Sequence, residues 1–203
     1  MGPSQGTGRL RRRAVAVAVV MMASGLVAGC ATRPFADGFY VPPHLAPLRE
    51  PRQPVAVYLF ADARGVEDPR VLGQFESGWV SRATEPVAAG VTRGIMDGLR
   101  RRGFPVVDRT SERFGSDESS RALGVAITGD VRQFYIAGYE RGGCEIVVRV
   151  HSAGGGRPVA ERTYAAHEVD PGGHAWNALG RALARVIEDA MSDPILILKL
   201  SEP

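Results

Sequence analysis

The sequence contains LGVAITGDVRQFYI at residues 123–136, CEIVVRVHS at 144–152 and PVAERTYAAHE at 158–168. These stretches are rich in residues that favour strands, and the second alternates apolar with polar side chains, as a strand buried on one face does. Glycine-rich turns at 141–143 and 154–156 separate them, which is typical of hairpins. The three stretches therefore predict an antiparallel meander.

Two amphipathic helices flank this meander. The first is predicted from Thr84, a residue that favours an N-cap, to a stop at Gly103, with apolar residues at every fourth position between them. The second is predicted over residues 174–191 from its apolar stripe. Gly94 and Gly98 weaken the first helix, and we expect them to mark close packing on a sheet.

The remaining segments complete the predicted domain. Residues 55–61 form a short apolar run that predicts a buried strand, and 62–80 read as a polar, irregular loop. Residues 104–107 predict an edge strand because a proline lies within them. The apolar tail at 195–200 predicts a last strand or a half-turn packed on the core.

These elements predict an α+β fold for a single domain at residues 55–203. We expect a two-layer arrangement, with a mostly antiparallel sheet of about four to five strands in the order β-α-β-β-β-β-α and two helices on one face.

The N-terminal 29 residues have the pattern of an export signal, with arginines followed by an apolar run at 14–28. The run is short for a spanning helix, although a membrane helix and an ordinary secretory signal stay as alternatives. The run ends in a sequence that resembles the lipobox of bacterial lipoproteins: Leu26, Val27, Ala28, Gly29 and Cys30. This resemblance implies cleavage before Cys30, which then carries a covalent diacylglyceryl group and an N-acyl chain such as palmitate. Because Ala31 and not Asp follows Cys30, the resemblance favours the outer membrane.

Residues 30–54 contain the lipidated cysteine and a proline-rich segment, which predicts an extended tether. The precursor has a formal charge of +3, and loss of the four signal-region arginines lowers it to −1. We therefore expect no nucleic-acid partner.

A search for catalytic chemistry finds no nucleophile with a positioned base. Cys144 stands alone and is expected to be a buried apolar side chain. His167 and His174 bracket Glu168 and Asp170, but that spacing matches no standard metal site. The sequence thus predicts no enzyme activity, no metal and no cofactor beyond the lipid on Cys30.

Two charged groups are candidate contact sites. Arg100, Arg101 and Arg102 end the first predicted helix, where they stabilise the helix dipole and could also contact anionic lipid or a partner. Asp62 and Arg64 follow the first strand, in a loop that either binds a ligand or is simply solvated.

Besides the lipobox, the proline-rich leader and the meander, the chain contains four short motifs: Asp62-Ala63-Arg64, Leu72-Gly73, Leu99-Arg100-Arg101-Arg102-Gly103-Phe104 and Met191-Ser192-Asp193. In these features it resembles the YajG-like lipoproteins of Gram-negative bacteria. This resemblance implies a location and a fold, but no activity.

Together these features predict a lipid-anchored protein of the cell envelope that faces the periplasm, with an outer-membrane location favoured. We expect it to bind an envelope protein as a scaffold or accessory subunit. An auxiliary role in a lipid-trafficking ABC transport system is the alternative, and an enzyme is the weakest hypothesis.

Overall fold

The computed structural model describes residues 32–33, 45–48, 53–74, 80–115, 124–152 and 156–202. Within these residues the strands are β1 (Thr32–Arg33), β2 (Val55–Val57), β3 (Ala61–Asp62), β4 (Val71–Gln74), β5 (Val80–Ala83), β6 (Val106–Asp108), β7 (Val125–Ala137), β8 (Arg141–Ser152) and β9 (Ala160–Val169). The helices are α1 (Val87–Arg101), α2 (Ala175–Ser192) and α3 (Pro194–Ser201).

The main sheet has the strand order β6-β2-β7-β8-β9, and β3 also pairs with β7. The pairs β7–β8 and β8–β9 are antiparallel, with Ile127 opposite Val150 and Val148 opposite Arg162. The predicted meander is thus confirmed. In contrast, β2 pairs in parallel with β6 and with β7. Parallel pairing is possible here because α1 forms the crossover between β2 and β6.

The long helices α1 and α2 pack on one face of this sheet and on each other. Their apolar stripes close over inward-facing residues of the central strands, which include Val57, Ile127, Ile146 and Val148. Burial of these apolar surfaces is the main source of stability for such a layer. The α+β class with two layers is therefore confirmed.

Gly98 lies where α1 meets α2. A Cβ atom at this position would lie 2.7 Å from Ile187 Cγ2 and 3.0 Å from Met191 Cγ, so the two helices approach closely only because the residue is glycine. Close packing at Gly98 was expected, but its partner is α2 and not the sheet.

The prediction of an irregular loop over residues 62–80 is wrong in part. A small second sheet has the order β1-β5-β4, with β4 and β5 antiparallel and β1 parallel to β5. The strands β4 and β5 are only four residues long each, and β4 contains a glycine at its irregular pairing. Such short strands lack the alternation over several residues that identifies a strand in the sequence.

The apolar tail forms the helix α3, so the prediction of a strand or half-turn at 195–200 is also wrong. Asp193 is the N-cap, and its Oδ1 accepts hydrogen bonds from the N–H groups of Ile195 (2.8 Å) and Leu196 (3.3 Å). Pro194 occupies the first helical position, where its fixed φ favours a helix. Leu196 and Leu200 are buried in the core.

Candidate functional site

The strand β9 alternates between exposed and half-buried residues along its whole length. Tyr164 and Ala166 pack against the core, whereas Glu161, Thr163 and Ala165 are exposed. Because successive side chains of a strand point to opposite faces, the exposed set lies on the face away from the helices. The described helices direct their buried side chains into the core on the other face. We call the face of the sheet away from the helices the open face. Its residues in β7, β8 and β9 include Thr128, Asp130, Arg149, His151, Glu161 and Thr163.

An ion-pair cluster joins the three meander strands on the open face. The Arg149 guanidinium donates from Nη2 to Asp130 Oδ2 and from Nε to Glu161 Oε2, both at 2.6 Å. The hydrogen bond to Asp130, reinforced by the one to Glu161, raises the pKa of Arg149. One cation thus holds two carboxylates, and the cluster presents a net negative charge. Its geometry is fixed because each member comes from a different paired strand.

His151 continues this row toward the end of β8. Its Nδ1 lies 3.2 Å from the carbonyl oxygen of Gly156, and its Nε2 lies 2.9 Å from Thr128 Oγ1. A carbonyl can only accept, so Nδ1 carries the proton and Nε2 accepts from the threonine hydroxyl. Burial lowers the pKa of His151, and the ring is neutral at pH 7. The ring of Phe114 covers the imidazole at a centroid distance of 4.2 Å.

A cavity of about 540 Å³ lies beside the ion-pair cluster. The loop that carries Phe114 borders it on one side, together with Tyr58 and the half-exposed Leu59. Asp130 and Arg149 border it on the other. The open face therefore combines a concave, partly apolar wall with fixed charges.

The predicted pair Asp62 and Arg64 lies beside the middle of β7, where Asp62 pairs with Val131. Arg64 donates from Nε and Nη2 to both carboxylate oxygens of Asp62, at 2.8 and 2.7 Å. It also donates to the carbonyl oxygens of Pro69, Val71 and Phe134. The Arg64 side chain is only 5% exposed. Here the guanidinium joins the small sheet to β7, and these bonds occupy the groups that would otherwise bind a ligand. A second cavity of about 350 Å³ borders the same arginine.

The three predicted arginines at the end of α1 have different surroundings. Arg100 is exposed, and Arg101 donates to Asp97 at 2.7 Å. Arg102 donates from Nε to the carbonyl of Met191 at 2.7 Å and from Nη1 to that of Ala46 at 2.9 Å. Arg102 therefore fixes part of the predicted tether on the domain, where Leu45 and Leu48 pack against the core. A contact with lipid or a partner stays a prediction for the triplet.

Cys144 is fully buried, and burial raises the pKa of its thiol, which keeps it protonated. His167 Nδ1 lies 3.1 Å from the Tyr135 hydroxyl, and His174 is the residue before α2. Among the residues that the structure describes, no three His, Cys, Asp or Glu side chains are placed to hold a metal ion. None of the described helices is long and apolar enough to cross a membrane. Cys30 and the lipobox residues 26–29 lie outside the described ranges.

The sequence did not identify the Arg149 cluster or the Phe114 cavity. The alternation of Glu145, Arg149 and His151 against apolar residues did place these side chains on one face. The carboxylates that meet Arg149 come from neighbouring strands, and their identity depends on register. Phe114 comes from a loop whose path only the structure gives.

No protein-family model matches this sequence, and no curated protein matches it. Among solved structures, it is similar to a DUF330 protein from Xanthomonas campestris at 16% identity and a TM-score of 0.52, over 75% of this chain and 91% of that one. This similarity shows a shared fold.

Two further solved structures are similar at lower scores. One is the PelC dodecamer from Paraburkholderia phytofirmans, at 13% identity and a TM-score of 0.48, over 78% of this chain and 95% of that one. The other is the lipoprotein GNA1162 from Neisseria meningitidis, at 9% identity and a TM-score of 0.33, over 68% and 96%. At these scores the two similarities add nothing to the conclusion on the fold.

Proposed function

We propose that this protein is a non-enzymatic lipoprotein of the bacterial cell envelope, anchored by lipid on Cys30, whose domain binds another envelope protein through the open face. The lipobox at residues 26–30 supports the anchor, and the presence of Ala31 instead of an Asp after Cys30 supports an outer-membrane location. We also propose that the protein is a YajG-like lipoprotein, because of the motifs in which its sequence resembles that family.

The observation that carries the binding role is the open face itself. It presents Arg149, Asp130 and Glu161 in a fixed cluster, next to a cavity with an apolar wall. Fixed polar groups around an apolar recess bind a partner without a large cost in side-chain entropy. The excess of carboxylates in the cluster favours a partner surface that carries Lys or Arg at this position.

The surroundings of the chemically reactive side chains support a role without catalysis. The Cys144 thiol is protonated and buried, and both ring nitrogens of His151 face structural partners. A catalytic thiol needs to be a thiolate near a base, and a general base needs a free nitrogen.

The anchor is tested by metabolic labelling with an alkyne fatty acid in a bacterium that expresses the full-length chain. We expect label in the parent and none in Cys30→Ser, with Cys144→Ser as the matched control that keeps the label. Equal labelling of parent and Cys30→Ser would contradict the proposal.

The binding face is tested with a photo-crosslinking amino acid at Thr163 on β9 or at Arg185 on α2, where the side chain is 58% exposed. We expect a discrete adduct with one envelope protein from position 163 and not from 185. Substitution of Glu161 by Lys, which reverses a charge of the cluster, should then reduce that adduct. Adducts that are equal at both positions, or that do not respond to the charge reversal, would contradict the role of the open face.

A further inference from the structure

The strand β9 is an edge of the main sheet in the part of the chain that the structure describes. The order of the sheet ends at β9, and no described strand pairs with its outer side. β9 is ten residues long, and its pairing with β8 has no register shift. The other edge strand, β6, has only three residues and follows Pro105, so it offers little to a further strand. An edge as long and regular as β9 is a template for pairing with another chain.

Hydrogen bonds at the end of β9 show which backbone groups face outward. The N–H of Asp170, the residue after β9, donates to the carbonyl of Glu140 at 2.7 Å, so the backbone of Asp170 faces the side of β8. Backbone groups alternate in direction along a strand, so those of the odd-numbered residues of β9 face the outer side. The carbonyl of Val169 agrees with this phase, because it accepts from Arg181 Nη2 on α2 at 3.2 Å. The central residues with outward N–H and C=O groups are Thr163, Ala165 and His167.

The charged side chains of β9 are complementary to a second β9 strand. Arg162 and Glu168 lie on the face that packs against the helices, and each is three residues from Ala165. Within β9, Glu168 is the only acidic residue on that face. When two β9 strands pair antiparallel with Ala165 opposite Ala165, Arg162 of each copy is directly opposite Glu168 of the other. A shift of this register by two residues in either direction removes both of these pairs.

The main sheet already contains an ion pair of this kind. Arg149 of β8 is directly opposite Glu161 of β9, and their side chains form a hydrogen bond of 2.6 Å. Arg149 also holds a second carboxylate, that of Asp130. Arg162 Nε lies 3.5 Å from Asp193 Oδ2, and a guanidinium has further N–H groups with which to bind a second carboxylate. Opposite charges in directly opposed strand positions stabilise the pairing of the strands.

We infer that two copies of this chain pair through β9, antiparallel and about a two-fold axis at Ala165. The partner at this edge is thus a second copy of the chain. The two main sheets then form one continuous sheet, with the helices of both copies on one side and both open faces on the other. The inference does not depend on the lipid at Cys30 or on an envelope partner, because it uses the backbone edge of β9 and side chains on the face of the helices.

Exposed apolar side chains beside the edge add to the surface that this pairing buries. Val159 and Val169, at the two ends of β9, are 46% and 53% exposed, and Ile195 on α3 is 45% exposed. α3 begins beside β9, because its N-cap Asp193 accepts a hydrogen bond from the Tyr164 hydroxyl at 2.8 Å. Burial of apolar surface next to the edge supplements the hydrogen bonds between the strands.

Disulfide crosslinking tests the position of the axis. In this register the Cα atoms of the two Ala165 residues are about 5.5 Å apart, within reach of a disulfide, whereas those of the two Val159 residues are about 40 Å apart. The full-length chain with Ala165→Cys or Val159→Cys is expressed in a bacterium, and intact cells are oxidised with copper phenanthroline, while Cys144 is buried. We expect several-fold more disulfide-linked dimer from Ala165→Cys than from Val159→Cys or the parent. Equal yields from the two positions would overturn the inference.

Charge reversal tests the register. Glu168→Arg puts two arginines opposite each other at both ion-pair positions, so it should lower the yield of the Ala165→Cys disulfide several-fold. Glu67→Arg makes the same change of charge in the exposed loop before β4 and should leave that yield unchanged. Equal yields in the two variants would contradict the pairing of Arg162 with Glu168, and the register with it.

The mass of the full-length chain, purified in detergent and measured by light scattering, gives a readout without added thiols. We expect a dimer for the parent and for Glu67→Arg, and a larger share of monomer for Glu168→Arg. Circular dichroism of the same samples shows whether Glu168→Arg keeps its fold. A parent that is a monomer and gives no Ala165→Cys disulfide would refute the pairing of two copies, whatever covers β9 instead.

Discussion

Replacement of Arg64 by Met should destabilise the domain measurably. The Arg64 and Asp62 side chains are 5% and 19% exposed, and Met keeps the length of the side chain but removes every hydrogen-bond donor. Loss of one partner of a buried pair costs about 3–5 kcal/mol, because the other charge is left without compensation. Asp62 is an exposed residue and keeps contact with solvent, so we expect a smaller loss of about 1.5–3 kcal/mol, the range for hydrogen bonds to a charged group.

The assay is urea unfolding of the mature chain with Cys30→Ser, followed by circular dichroism at neutral pH. Arg70→Met is the matched control, because Arg70 forms an ion pair with Asp68 but is 50% exposed, and such surface pairs contribute about 0–1 kcal/mol. The pH dependence gives a second readout. Burial raises the pKa of Asp62, but the hydrogen bonds from Arg64 outweigh it and leave that pKa below 3.8.

Asp62 therefore stabilises the parent at pH values above 3.8, and this stabilisation is lost as the pH falls through the lowered pKa. Without the Arg64 guanidinium, only the backbone N–H of residue 64 still lowers this pKa against the effect of burial, so the difference in stability between parent and Arg64→Met should narrow in acid. If Arg64→Met costs no more than Arg70→Met, the role of Arg64 as the connection between the small sheet and β7 is refuted.

Three other predictions concern the packing and titration of single residues. Gly142→Ala places a Cβ atom 2.3 Å from the backbone nitrogen of Leu179, so α2 has to shift, and urea unfolding should show a loss of about 1–3 kcal/mol; no loss would contradict this contact. Asp193→Ala removes the N-cap of α3 and should cost about 1 kcal/mol at neutral pH. Burial raises the pKa of Asp193, but hydrogen bonds from Tyr164 and the helix amides outweigh this effect and lower the pKa. The destabilisation by Asp193→Ala should therefore vanish well below pH 3.8 in acid titrations. A destabilisation that stays constant with pH would contradict the role of the Asp193 carboxylate. Burial lowers the pKa of His151 from 6.5, so the parent should lose stability as the pH falls below 6.5. In thermal unfolding, His151→Gln should lose less stability over the same pH range. An equal pH dependence of stability in parent and variant would disprove this.

The sequence was most informative where patterns are long. The meander and the two long helices were predicted because their periodicity extends over ten or more residues. The helix α1 begins after Pro86 and ends before Gly103, whose φ of +90° lies in the region that favours glycine. Local chemistry therefore set the C-terminal limit of α1, whereas the prediction of Thr84 as N-cap is wrong, because Pro86 occupies that position.

Short elements were missed for a physical reason. β4 and β5 are stabilised by pairing with each other and by the contacts of Arg64 with β4 and β7, and none of these partners is adjacent in the sequence. The helix α3 did carry a local signal, Asp193 followed by Pro194, but the apolar run after it is equally consistent with a buried strand.

The candidate site was predictable only as a set of residue types. Alternation along β8 placed Arg149 and His151 on the polar face, yet their partners Asp130 and Glu161 depend on the register of β7 and β9. The sequence also proposed Asp62 and Arg64 as a binding loop, whereas the structure gives both side chains structural partners.

By itself the sequence determined the α+β class and the order of the long elements, and it predicted an export signal and an anchor at Cys30, because each depends on residues close together in the chain. Tertiary structure decided which charges meet on the open face and how Arg64 joins two sheets. These features depend on strand pairing and strand direction between segments far apart in the sequence, and local propensities do not specify either.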